Sequence, residues 1–304
     1  MGGCAPRWRT VGSCWRQPRT MLTSRPARPK YSKVSKGAAG PSDEQFGQNG
    51  AVTVDEQGSR GFGGASRGVW CGDASPGMVA RLARLGFDWI CLDAQHGGYS
   101  RTEIIEVAQV FPTAFAELVV RVASCEFTAI GAALDAGARA VIVPQIESAA
   151  DAQRAVAAAF YPPIGRRSWG PLGRMWDGPT LTVEEANRST TCAVMIESAD
   201  ALLQVEEIAA VDGVGQLFVG PSDLSLSLGT TVPALLDDDS ESSPLTRIVQ
   251  IAAAYGRTVG GFAGTPEIAD RFRERGISCI AVATDLWVTS EGARAALPVT
   301  SGLV

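Results

Sequence analysis

Gly86-Phe87-Asp88-Trp89-Ile90-Cys91-Leu92-Asp93-Ala94-Gln95-His96-Gly97-Gly98 is the stretch whose reading decides the fold. It begins as a short apolar run of strand-forming residues and ends in a polar, glycine-rich turn. A buried parallel strand delivers side chains to a loop in this way. His96 follows the expected strand end and is the single histidine of the chain. Asp93, three residues earlier, is close enough to hold one imidazole nitrogen and fix its tautomer. A turn-forming aspartate beside a surface histidine gives the same pattern, so the surrounding chain has to decide between the two.

Outward from this stretch, strand-like and helix-like patterns alternate from Gly68 onward. Strands are expected at Val69–Gly72, Asp88–Asp93, Leu118–Val122, Ala140–Pro144, Cys192–Glu197, Gln216–Gly220, Thr258–Phe262 and Cys279–Ala283. Helical patterns fall between them at Gly77–Leu85, Arg101–Val110, Phe127–Ala136, Ala149–Phe160, Ala199–Ala209, Leu245–Tyr255 and Pro266–Arg275, with a last helix from about Leu286 to Ala296. Such alternation is the mark of an α/β protein, and a (β/α)₈ barrel over residues 65–304 fits it better than an open, doubly wound sheet. No early GxGxxG turn supports the open sheet. Two longer connections interrupt the alternation, Tyr161–Thr180, rich in Arg, Trp and Gly, and Leu228–Pro244, whose Asp237-Asp238-Asp239 run reads as a solvated loop.

The composition narrows the class. Hydrophobic residues make up 45% and charged residues 19% of the 304, enough to bury a large core. No apolar run reaches the roughly 18–20 residues of a membrane span. Seven cysteines without a CxxC pair read as reduced core residues of a cytoplasmic protein. The net charge of −5 conceals an asymmetry, because nine of the 27 Arg and Lys lie in the first 40 residues, which contain no Asp or Glu. The remainder is strongly acidic and would repel a phosphate backbone, which excludes nucleic acid as a partner. Residues 1–64 lack periodicity and read as a disordered, basic extension. Arg7 to Lys36 has the composition of an organelle transit peptide or of an over-extended start, though Pro18, Pro26 and Pro29 interrupt any amphipathic helix.

In a barrel the C-terminal strand ends converge on one mouth. Those ends carry Trp70, Asp93 with His96, Arg121, Pro144, Glu197 and Gly220-Pro221-Ser222-Asp223. Glu197 and Asp223 are hard oxygen donors at adjacent strand ends, suited to a divalent cation that keeps open positions; both are equally well placed as helix-capping acids. Arg121 can steady an enolate or carboxylate oxygen, or form a structural ion pair. Gly220, Pro221 and Ser222 bring backbone N–H groups to a helix start, where a substrate carboxylate could bind. No lysine stands at a strand end, which argues against Schiff-base chemistry.

In order and spacing these residues resemble the HpcH/HpaI aldolase/citrate lyase family. The likeness covers about residues 66–297. It is carried by Gly68-Val69-Trp70, the Gly86–His96 stretch, Val120-Arg121, Leu134-Asp135-Ala136-Gly137-Ala138, Val143-Pro144, Tyr161-Pro162-Pro163 with Gly165 and Arg167, Ile196-Glu197 and Val219–Ser225. The resemblance implies a metal-dependent class II pyruvate aldolase that cleaves a 4-hydroxy-2-oxo or 2-keto-3-deoxy acid to pyruvate and an aldehyde. It implies Glu197 and Asp223 as ligands of Mg²⁺ or Mn²⁺, with Co²⁺ or Zn²⁺ as further candidates. His96 would be the base supported by Asp93, Arg121 would steady the enolate, and Trp70 and Gly220–Ser222 would contact substrate. Asp135 matches an acid that reaches the site across a subunit contact, in a homo-oligomer that is hexameric in relatives. A CoA-ester lyase of the citrate lyase β type and a non-catalytic binding relative are the alternatives. Three features depart from the family: Ala94-Gln95 in place of Gly-Glu, Met195 in place of a Gln, and a short last helix ending near Pro298 and Gly302. That helix is exchanged between subunits in relatives.

Overall fold

The computed structural model describes residues 61–176 and 180–297. The expectation of a disordered extension therefore falls, for residues 1–60, outside the described residues, as do Pro298 and Gly302. Eight parallel strands, β1 (Ser66–Cys71), β2 (Trp89–Asp93), β3 (Glu117–Arg121), β4 (Ala140–Val143), β5 (Thr191–Ile196), β6 (Val214–Val219), β7 (Thr258–Phe262) and β8 (Cys279–Thr284), pair in sequence order and close through β1 and β8. This is the (β/α)₈ barrel expected from the alternation. Each of the eight strands overlaps its expected position, because every one is a short apolar run bounded by turn residues.

The helices are α1 (Pro76–Leu82), α2 (Arg101–Val110), α3 (Phe127–Ala136), α4 (Ala149–Ala159), α5 (Val183–Ser189), α6 (Ala199–Leu203), α7 (Val205–Ala209), α8 (Pro221–Ser227), α9 (Val232–Asp237), α10 (Pro244–Ala254), α11 (Pro266–Glu274) and α12 (Asp285–Ala296). Ser and Thr side chains cap most of their N-termini; Ser100 and Thr182 form capping boxes with Glu103 and Glu185. The helix expected over Ala199–Ala209 is divided at Gln204 into α6 and α7. Two helices stand where the sequence reading had none, α5 between Thr180 and β5 and α9 within the Leu228–Pro244 connection. At six or seven residues these are too short to show a 3.6-residue period. Asp237 and Asp239 are strongly exposed and pair with Arg271 and Arg275, as a solvated acidic run should.

Apolar side chains form two layers. One lies between strands and helices; the other fills the barrel with Trp70, Trp89, Cys91, Ile142, Met195 and Phe218, among others. Gly68 is required by this interior, since a Cβ there would stand 2.2 Å from the Trp89 indole. The chain joins the barrel earlier than residue 65. Phe62 is only 2% exposed, stands edge-on to Trp89 with ring centroids 5.3 Å apart, and donates its backbone N–H to Glu117 at 3.3 Å. Phe62, which the sequence reading left in the basic extension, therefore packs on the barrel. Four of the described cysteines are buried, and all five are free.

Candidate active site

Register builds the centre of the mouth. Asp93 and Arg121 are the last residues of neighbouring strands β2 and β3 and lie side by side. Arg121 donates Nε–H to Asp93 Oδ1 at 2.9 Å and Nη2–H to Oδ2 at 2.5 Å, a fork-to-carboxylate pair. Trp70, near the end of β1, adds its indole N–H to Oδ2 at 3.2 Å, and its ring lies 5.0 Å from the guanidinium carbon. The backbone N–H groups of Gln95 and His96 complete the set on Oδ1 at 3.0 and 3.1 Å. Burial pushes the Asp93 carboxyl up. The Arg121 hydrogen bonds and charge, with the His96 N–H and the Trp70 indole, outweigh it and hold the carboxyl below its usual range.

This geometry corrects the role given to Asp93. It was expected to hold an imidazole nitrogen; instead it holds the His96 backbone, and its carboxylate is committed to Arg121 and Trp70. The loop is shaped accordingly. A Cβ at Gly97 would stand 2.3 Å from the Asp93 carbonyl and 2.5 Å from that of Gly72, so only glycine lets the chain turn back beneath His96. The His96 side chain is exposed at the mouth.

Glu197 follows β5 and is buried. Its Oε1 accepts the backbone N–H of Gln145 at 2.7 Å, while Oε2 is buried with no hydrogen-bond partner. Burial raises its carboxyl pKa. The Gln145 N–H opposes that, the Asp223 charge adds to it, and the charges of Arg121 and His96 act against it. Asp223, Arg121 and His96 therefore all lie close enough for their charges to act on Glu197. Gly220 packs directly on Glu197: a Cβ would come within 3.0 Å of Oε2. Asp223, in the first turn of α8, is exposed, as is Ser222, while Pro221 is buried. An orphaned, buried carboxylate oxygen beside a second carboxylate, with space kept open by a glycine, fits a hard divalent cation. Among the described residues no cluster of three or more His, Cys, Asp or Glu is placed to hold a metal.

Two residues stand differently from their sequence reading. Asp135, near the end of α3, lies away from its own mouth and pairs with Arg167 at 2.8 Å, in a cavity shared with Tyr161 and Trp169. Burial raises its carboxyl pKa against the pull of Arg167. Met195 points into the barrel and fills space beside Gly220, below the acid pair. Sequence reasoning missed Gln145 altogether. It is the one non-glycine residue with positive φ (56°) among those described, and that backbone turn aims its N–H at Glu197.

A closed parallel barrel whose C-terminal mouth carries Glu197, Asp223, the Asp93–Arg121 pair and His96 has the architecture of a (β/α)₈-barrel enzyme. The chain belongs to the HpcH/HpaI aldolase/citrate lyase family, whose model matches residues 66–291. It is 35% identical over 227 residues to the 2-dehydro-3,6-dideoxy-6-sulfogluconate aldolase of Pseudomonas putida, covering 73% of this chain and 87% of that one. It is 33% identical over 232 residues to the 4-hydroxy-2-oxovalerate aldolase of Novosphingobium aromaticivorans, covering 74% and 86%. Among solved structures, an HpcH/HpaI aldolase/citrate lyase family protein from Burkholderia cenocepacia superposes with a TM-score of 0.69 at 30% identity, covering 80% of this chain and 95% of that one. Among the described residues no helix is long and apolar enough to cross a membrane.

Proposed function

We propose that this protein is a metal-dependent aldolase, a carbon–carbon lyase that cleaves a 4-hydroxy-2-oxo or 2-keto-3-deoxy acid to pyruvate and an aldehyde. The observation that carries this reading is the orphaned Oε2 of buried Glu197, a carboxyl that feels the charges of Asp223 and of Arg121, itself paired with Asp93. Glu197 and Asp223 would hold the cation, Mg²⁺ or Mn²⁺, which would supply Lewis-acid stabilisation of the negative charge formed during cleavage.

Arg121 has one face on Trp70 and two donors on Asp93, which leaves the remaining guanidinium N–H groups for the pyruvate unit. Held rigidly at both sides, it meets the developing enolate charge without reorganising. The C3–C4 bond breaks with its electron pair passing to the pyruvate unit. The C4 hydroxyl proton passes to the His96 imidazole as the C4–O bond becomes the aldehyde carbonyl. Protonation at C3 then gives pyruvate. The first turn of α8, from Gly220 to Ser222, receives the substrate carboxylate. Schiff-base chemistry has no group to work with in the barrel, since all three lysines, Lys30, Lys33 and Lys36, precede it. In a homo-oligomer Asp135, unused at its own mouth, serves the site of a neighbouring copy.

Pyruvate release from a synthetic 4-hydroxy-2-oxo acid, with and without EDTA, tests the reading. Release that EDTA abolishes and Mg²⁺ or Mn²⁺ restores is expected. Release indifferent to EDTA refutes it, and turnover of a CoA ester in place of the hydroxy-oxo acid would favour the CoA-ester lyase.

A further inference from the structure

A second cavity, of about 600 Å³, opens at the C-terminal ends of β1 and β8 and is lined by Trp70, Asp73, Ala74, Met78, Asp285 and Leu286, among others. That volume falls in the usual range for a small-molecule pocket. Trp70 is the wall it shares with the catalytic mouth, because the same indole binds Asp93 and Arg121. The His96 loop borders it as well. Gly98 donates its N–H to the Gly72 carbonyl at 2.8 Å, and an Asp73 carboxylate oxygen lies 3.0 Å from where a Gly98 Cβ would stand. The cavity thus lies beside the loop that carries the proposed base.

Its lining is apolar with one sign of charge. Ala74, Met78, Leu286 and the Trp70 ring supply the apolar surface; Asp73 and Asp285 are the charged members, and no Arg, Lys or His is among the lining residues. Asp285 accepts the N–H groups of Gly72 and Asp73 at 3.0 and 3.1 Å, and so is fixed in place. Asp73 is exposed, and the guanidinium of Arg121 is already engaged by Asp93. Burial first, with the charges of Asp285 and Asp73 adding to it, holds the nearby Tyr99 phenol above its ordinary range.

We propose that this cavity is the aldehyde subsite and that it selects uncharged aldehydes, seating the carbon chain against Trp70, Met78 and Leu286 and rejecting carboxylated or sulfonated aldehydes through Asp73 and Asp285. The inference rests on the aldolase reading above and narrows it to one substrate class. Rejection is achieved by placing like charge where an anionic tail would lie. A carboxylate roughly 7 Å from a fixed negative charge, at a partly solvated surface, loses on the order of tenfold in affinity.

The test runs the reaction in the direction of addition, with pyruvate, Mn²⁺ and either 4-methylpentanal or succinic semialdehyde. These share a shape, with isopropyl in one where the other has carboxylate. The expected kcat/KM is about tenfold or more higher for 4-methylpentanal at low salt. High salt narrows that ratio by screening, and Asp73→Asn narrows it by about threefold or more through a raised semialdehyde rate. Asp73 is exposed and its side chain makes no hydrogen bond in the structure, so the variant folds. Deuterium exchange into the pyruvate methyl group, measured alongside, reports the enolate site without any aldehyde. Absence of exchange sinks the aldolase reading itself. Exchange with a preference for the semialdehyde, with an unchanged ratio in Asp73→Asn, or with addition to neither aldehyde overturns the subsite assignment alone.

Discussion

Replacing Asp93 with Asn removes one charge from a buried pair and leaves the shape almost unchanged. Asp93 is 5% exposed and receives five hydrogen bonds, from Arg121 twice, from Trp70, and from the backbone of Gln95 and His96. The Asn amide can still accept on one oxygen, but its NH₂ faces donors, and Arg121 becomes an uncompensated buried charge. Breaking such a pair costs about 3–5 kcal/mol. Because Asn keeps part of the network, the low end applies, about 3 kcal/mol. For a barrel of this size that lowers Tm by about 6–12 °C. The pH dependence follows from the depressed folded-state pKa of Asp93. Its stabilisation is present in full above the unfolded-state pKa of about 3.9 and is lost as pH falls through the lower folded value. The gap in Tm between wild type and Asp93→Asn should therefore be widest near neutrality and shrink below about pH 4. Differential scanning fluorimetry across that range measures it. A variant that melts within about 1 °C of wild type at pH 7, or a gap that widens on acidification, would refute the assignment of Asp93 as the anchor of Arg121.

Gln145 acts through its backbone, so Gln145→Gly and Gln145→Ala should both keep Mn²⁺ affinity measured by calorimetry. The glycine variant should be the more stable of the two by about 1 kcal/mol, because it relaxes the positive φ. Gly220→Ala inserts a methyl group against Glu197 Oε2 and should weaken Mn²⁺ binding about tenfold or more while circular dichroism stays that of wild type; unchanged affinity would mean that Oε2 does not face the cation. Chains begun at residue 61 and at residue 65 should differ sharply in Tm. The second lacks Phe62, whose removal costs about 3–5 kcal/mol, and equal melting would show that Phe62 adds nothing to the barrel.

The sequence was most informative where one residue type has few structural uses. Apolar runs such as Ala193–Ile196 have nowhere to go but a buried strand, and their ends then name the mouth residues without any knowledge of contacts. Contacts themselves were less legible. Asp93 stands three residues from His96 along the chain, yet register sets it against Arg121 on the next strand, 28 residues away. Spacing along one segment could not reveal that competitor. Gln145 was hidden because a positive φ leaves no mark in a side chain that is not glycine or asparagine. Phe62 was hidden because its neighbours Gly61, Gly63 and Gly64 read as linker, whereas the left-handed turns at Gly61 and Gly63 deliver it to the barrel floor. The short helices α5 and α9 span fewer residues than a period needs to declare itself.

The central claim, that one mouth stabilises an enolate while His96 handles the hydroxyl proton, is tested most directly in His96→Ala by two rates measured on the same sample. Aldol cleavage requires both functions, whereas oxaloacetate decarboxylation forms the same enolate with no hydroxyl proton to remove. The expected result is a loss of cleavage of about 10²–10⁴-fold, with decarboxylation kept within a few-fold of wild type. Equal loss of both rates with Mn²⁺ and pyruvate still bound, or loss of neither, would contradict the account.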